Sequence, residues 1–293
     1  MRIAPVLAVV AVLTLAIVGV AAQDGGSGAI VFVSARADGE DYEIYAMRPD
    51  GGGVRRLTRN PRSTDHEPAL SPDGRRVAFV SLRSGAGNEI YVMNADGSGV
   101  RRLTRNHKGT EEHSPTWSPD GRRLAFSSER DGNGEIYVLN AVDGSGLRRL
   151  TRHPAEDRDP AWSPDGRRIA FIRGGQVHVM AADGTGVRRL TASGFHLQPA
   201  WSPDGRTLAV TAQRDGQTDY DIYTLSAADG SAVRRQTRGA AADVSPAWSP
   251  DGRSLAFASN RAGSDDIYVL RIADATVKRL TAHPDEDADP HWR

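Results

Sequence analysis

Ser-Pro-Asp-Gly occurs five times in this chain, starting at Ser71, Ser118, Ser163, Ser202 and Ser249, with spacings of 47, 45, 39 and 47 residues. In the stretch Pro160 to Phe171 an apolar run meets this tetrapeptide, and a second run with an Ala-Phe pair follows. Proline presets the second position of a tight turn, and glycine accepts the positive φ that such a reversal needs. Each copy therefore predicts a β-hairpin. A repeat near the length of a four-stranded unit predicts an all-β propeller.

Each unit holds four short β-like runs. The first carries a proline and usually a tryptophan, as Pro115/Trp117, Pro160/Trp162, Pro199/Trp201, Pro246/Trp248 and Pro290/Trp292, with Pro68/Leu70 as the weak copy. The second resembles Val77-Ala78-Phe79, the third Glu89-Ile90-Tyr91-Val92-Met93, and the fourth Val100-Arg101-Arg102-Leu103-Thr104. The second and third runs are apolar at nearly every position, the pattern of strands covered on both faces. Each run occurs six times, but Ile30-Val31-Phe32-Val33 lacks a proline run before it and Asp289-Pro290-His291-Trp292 lacks a second run after it. The C-terminal strand is thus expected to complete the N-terminal blade. A ring of six closed in this way leaves no exposed strand edge.

Residues 1–22 read as an export signal: Arg2, an apolar run from Ile3 to Val20, then the small residues Ala21 and Ala22 before Gln23. Residues 23–28 read as a flexible linker and 29–293 as the propeller. The location expected is extracytoplasmic, not integral to a membrane unless the apolar run stays uncut. The 37 basic and 37 acidic residues balance. The arginines recur once per repeat instead of lining one groove, so nucleic acid is rejected as partner. The chain has no cysteine. That removes disulfides, thiolate metal sites and cysteine nucleophiles.

The motif Trp-Ser-Pro-Asp-Gly-Arg, followed by Ile/Leu-Ala-Phe, Glu/Asp-Ile-Tyr-Val-Met/Leu and Arg-Leu-Thr, resembles the WD40-like PD40 repeat of TolB-type propellers across residues 30–292. The resemblance implies a propeller in an extracytoplasmic setting. TolB proteins also carry an N-terminal α/β domain, for which residues before Ile30 leave no room, so only the propeller is expected.

Repetition separates structure from function. Arg36, Arg83, Arg130, Arg214 and Arg261 recur four residues after the aromatic slot, and Glu43, Glu89, Glu135, Asp221 and Asp266 recur before the third run. Both sets are expected to pair between strands or blades. The loops before the proline runs concentrate polar chemistry at one mouth of the channel. Three residues ahead of each proline stand Asp65, Glu112, Asp157, His196, Asp243 and Asp287. Their first reading is structural; their second is a ring of carboxylates for a divalent cation or cationic ligand. Blade four departs from the pattern with Arg173-Gly174-Gly175 and His178, and Phe195 and His196 follow it. With His66, His113 and Arg158, these residues make up the candidate binding face. No nucleophile elbow, P-loop, dinucleotide fingerprint or His-Glu-x-x-His is present. The expected function is binding of a protein or envelope component by a monomer, without catalysis and with no cofactor beyond an optional divalent cation. The alternative is a metal-dependent carbohydrate lyase or lactone hydrolase using His66, His113 and His196.

Overall fold

The computed structural model describes residues 28–37, 41–60, 63–105, 109–214, 216 and 218–293. The export signal and most of the linker lie outside these residues. Six four-stranded antiparallel sheets form the six blades. Their innermost strands are Asp287–Trp292 for blade one, then Asp65–Leu70, Glu112–Trp117, Asp157–Trp162, Phe195–Trp201 and Asp243–Trp248 for blades two to six. Each inner strand touches those of both neighbours, which closes the ring.

Blade one mixes the two ends of the described chain, as the unequal run counts demand. Ile30 stands opposite Trp292 and Ser34 opposite Asp287. The Arg293 N–H donates to the Ala29 carbonyl at 3.0 Å, and the reverse bond completes the pair.

The repeated residues have repeated jobs. At each Ser-Pro-Asp-Gly turn the serine hydroxyl meets the aspartate, as in Ser71 to Asp73 at 2.6 Å, while Gly74 takes φ 69°. The second and third strands stack rings between blades, with Phe79 and Tyr91 centroids 5.8 Å apart. In blade four His178 fills the tyrosine slot against Phe171 at 5.6 Å, and burial pushes its imidazole pKa down. Tryptophans tie adjacent blades: Trp117 Nε1 donates to the Ala69 carbonyl at 2.9 Å, and the Arg76 guanidinium lies 4.5 Å over the Trp117 ring. The acids before the third strand pair with the outer strand, for example Glu135 with Arg149 at 2.8 Å and with the Thr151 hydroxyl at 2.6 Å.

Candidate functional site

Every inner strand carries a bulge ahead of its proline. In blade two the pairing jumps from His66↔Val80 to Ala69↔Ala78, so Glu67 and Pro68 together oppose Phe79 alone. The residue just before each proline takes a left-handed φ of 47–55°: Glu67, Ser114, Asp159, Gln198, Ser245 and Asp289. A bulge turns one side chain out of the pleat's alternation. Here it sends all six of these side chains into the central channel, where they line a cavity of about 390 Å³.

These six residues form a hydrogen-bonded chain around the axis. The Ser114 N–H donates to Glu67 Oε2 at 2.5 Å, and the Ser114 hydroxyl to Asp159 Oδ1 at 3.0 Å. The Gln198 N–H donates to Asp159 Oδ2 at 3.2 Å, and its side-chain amide to the Ser245 hydroxyl at 2.8 Å. Ser245 Oγ then donates to Asp289 Oδ1 at 2.9 Å. Among the described residues the chain does not continue from Asp289 to Glu67, where two carboxylates adjoin. Burial and the Glu67 charge push the Asp289 carboxyl up to about 6. Burial likewise raises Asp159, with Glu67 adding to the effect. Glu67 goes the other way: burial opposes its charge, but His113 and His66 hold its carboxyl well below the usual range. Of the two imidazoles, His113 Nδ1 stands 3.4 Å and His66 Nδ1 3.7 Å from Glu67 Oε1. Both imidazoles are raised by this neighbour, His66 in spite of burial.

From this ring the cavity runs toward the Ser-Pro-Asp-Gly turns, past Pro72, Pro164, Pro203 and Pro250 and beside Trp162, Trp201, Trp248 and Trp292. Arg293 is the one arginine among the described lining residues. His291 projects where the other inner strands have alanine or threonine. Its Nδ1 accepts the Leu70 N–H at 3.2 Å, and burial pushes its pKa down to about 3.

The residues three before each proline do not line this cavity. All six are buried, and the five acids point into their own blades. Asp65 pairs with Arg83 at 2.6 Å, Asp243 with Arg261 at 2.8 Å and Asp287 with Arg36 at 2.5 Å. Glu112 pairs with Arg130 in the same way. Asp157 takes a two-pronged bond from Arg173, both contacts at 2.6 Å. Arg173 sits two residues after its aromatic instead of four, so the recurrence that marks the other arginines misses it.

His66, His113 and Arg158 occupy the next position along, at the end of the channel where the inner strands begin. Of these, His66 and His113 gather at Glu67, with ring centroids 6.3 Å apart. His196 does not join them: it is buried between blades four and five, with Nδ1 3.2 Å from the Gly175 carbonyl. Phe195 is exposed beside Gly175. Among the described residues no three histidine, aspartate or glutamate side chains converge as an ion requires.

The sequence reading passed over the ring just before the prolines. Its signal was present: six polar residues in a row otherwise rich in proline, alanine and tryptophan.

Comparison with known proteins agrees with this architecture. The family model described as the TolB beta propeller domain, PD40, matches residues 105–197 and 192–293. A TolB homologue of Chlorobium luteolum is 52% identical over 56 residues, which is 19% of this chain and 12% of the homologue. The crystal structure of TolB from Acinetobacter baumannii has a TM-score of 0.78 at 24% identity, covering 90% of this chain and 66% of that one. Hydrazine synthase of Kuenenia stuttgartiensis shares the fold at 17% identity, with a TM-score of 0.75 over 92% of this chain and 47% of that one. The chain therefore spans less than two thirds of each of these relatives. With the family model matched over more than half its length, the chain belongs to the TolB β-propeller domain family.

Proposed function

We propose that this chain is an exported binding propeller. Its partner, a protein or another envelope component, engages the central channel and presents a cationic group to Glu67, Asp159 and Asp289. One observation carries the reading: bulges in six strands turn polar side chains into one cavity, and half of those side chains are carboxylates. Like charges held close on a rigid scaffold repel, so a lysine, arginine or terminal amine from a partner relieves them. His66, His113 and Arg158 form the rim on the side where the inner strands begin. Asp65, Glu112, Asp157, Asp243 and Asp287 support that rim from inside the blades. A divalent cation that bridges the carboxylates to an acidic partner is the variant of this reading that a chelator distinguishes.

The test is affinity capture from a native envelope extract, comparing the parent with the Asp159→Asn/Asp289→Asn double variant. The parent should retain a partner that the double variant releases, and the parent's own binding should weaken with salt. Loss of capture in chelator would assign the contact to a bridging cation. Equal capture by parent and double variant at every salt concentration would move the site elsewhere.

A further inference from the structure

Blade five lacks two groups that four of its sisters share. In blades one, two, three and six a phenylalanine stacks on the tyrosine of the next strand, at 5.8–6.0 Å between Phe32/Tyr45, Phe79/Tyr91, Phe126/Tyr137 and Phe257/Tyr268. An arginine lies over both rings and binds the buried acid three residues before the proline. Blade five keeps the tyrosine and the arginine. Arg214 Cζ stands 5.7 Å from the Tyr223 ring centroid. Val210 replaces the phenylalanine, and His196 replaces the acid.

The two losses fall in one place and leave a second cavity. It measures about 230 Å³, lies between blades four and five, and is walled by Leu190, His196, Val210, Arg214, Tyr223 and Leu225. Its floor is apolar, since Val210 and Leu225 are buried in the cluster shared by the two blades. His196 turns Nδ1 to the Gly175 carbonyl, and burial with the nearby Arg214 charge lowers its pKa. An imidazole in the place of the acid gives Arg214 no anion. The mouth passes the exposed residues Ala192 and Ser193.

The sister blades specify what would fill this space. A phenyl ring belongs against Tyr223, and a carboxylate belongs on the guanidinium. We propose that this pocket binds a small aromatic carboxylate, whose ring takes the place of the absent phenylalanine and whose carboxylate takes the place of the absent acid. Dry apolar cavities of about 150 Å³ already admit benzene, so the room suffices. The stacked ring and the charge-assisted bond to arginine are both favourable contacts in a partly desolvated site. This inference is independent of the channel and its partner.

Calorimetric titration of the full chain with benzoate tests it, with acetate as the anion that lacks a ring. Benzoate should bind at millimolar concentration or better, and acetate roughly tenfold or more weakly. Val210→Phe should abolish benzoate binding by filling the ring site. His196→Asp should abolish it as well by restoring the native-type ion pair to Arg214, and it decides the matter if the larger substitution fails to fold. No heat with benzoate, equal affinity for acetate, or undiminished benzoate binding by folded Val210→Phe or His196→Asp overturns the proposal.

Discussion

Two positions in the same inner strand, only two residues apart, behave in opposite ways. Three before the proline, five of six residues are carboxylates, each buried and bound by an arginine of its own blade. One before the proline, the residues vary among glutamate, serine, aspartate and glutamine, and all face the channel. Uniformity marks the position that every blade needs to hold its strands together. Variation marks the position that the ring as a whole can use, because only there do six side chains meet around one axis. The bulge begins at the second of these positions, and the bulge makes the difference.

The largest expected effect comes from removing the channel position of one blade together with nearly all of its inner strand. Deleting residues 288–293 strips Ile30 and Val31 of their ladder partners and takes away buried Trp292. Losing a buried tryptophan alone costs about 3–5 kcal/mol. The truncated protein should therefore melt far below the parent, and an unchanged melting temperature would break the closed ring.

Next in size is the buried pair. Arg173→Met leaves Asp157 charged in a dry strand interior, and such a break costs about 3–5 kcal/mol. Replacing both partners, as Asp157→Leu/Arg173→Met, should recover most of that loss, since an apolar pair of similar volume needs no solvation. Urea unfolding of the single and double variants measures both. A single variant as stable as the parent would show that the uniform position is not structural.

These pairs explain what could be read from the residues alone. The hairpin, the unit of four strands and the closure follow from local signals: Ser-Pro-Asp-Gly turns, unbroken apolar runs and the proline run missing ahead of Ile30. The candidate site was only partly legible. Simple alternation along a strand puts Asp157 and Asp159 on the same face, so nothing in the spacing separates the acid that binds Arg173 from the one that faces the channel. The bulge that separates them is a backbone event at φ 53° in a non-glycine residue. Aspartate ahead of proline carries no local signal for that conformation, because the preceding residue is normally held extended. Arg173 escapes the recurrence for a related reason: with the loop shortened, an arginine at the strand position where four sister blades have serine reaches the same acid that their arginines bind from two residues further on.

The channel position should show its character in its pH dependence. The Asp289 carboxyl rises from an ordinary 3.8 to about 6 in the folded protein. The folded state then binds this proton more tightly than the unfolded chain does. Stabilisation from the shift is complete below 3.8 and is lost as pH rises through about 6. Asp289→Asn cannot lose it, and asparagine tolerates a left-handed φ. Above that range the variant should exceed the parent by about 1–2 kcal/mol, after allowance for water in the channel, and below it the gap should close. His66 and His113, also raised, weaken the fold in the same direction as pH rises, whereas buried His291 weakens it as pH falls. The difference between variant and parent cancels the His113 and His291 contributions, whereas His66, which Asp289 helps to raise, should lose part of its shift in the variant. A gap that does not change with pH would mean that neither burial nor the Glu67 charge raises the Asp289 carboxyl.

The smallest effect should come from Ser114, which joins the channel ring at a backbone φ of 54°. Its hydroxyl donates to Asp159, and a bond of this kind to a partly solvated carboxylate contributes about 1 kcal/mol. Ser114→Ala loses that bond and keeps a Cβ in the left-handed region, where an L-residue is strained by roughly 1–2 kcal/mol. Ser114→Gly loses the same bond but relieves the strain, while a more flexible unfolded chain takes back about 0.5–1 kcal/mol of the gain. The glycine variant should therefore be the more stable of the two by up to about 1 kcal/mol. At the uniform position three before a proline, where the backbone is ordinary strand, glycine should instead be worse than alanine. Denaturant midpoints for Ser114→Ala and Ser114→Gly, set beside those for Asp243→Ala and Asp243→Gly, decide it. The same order at both positions would mean that the bulge stores no strain and that side-chain direction alone distinguishes them.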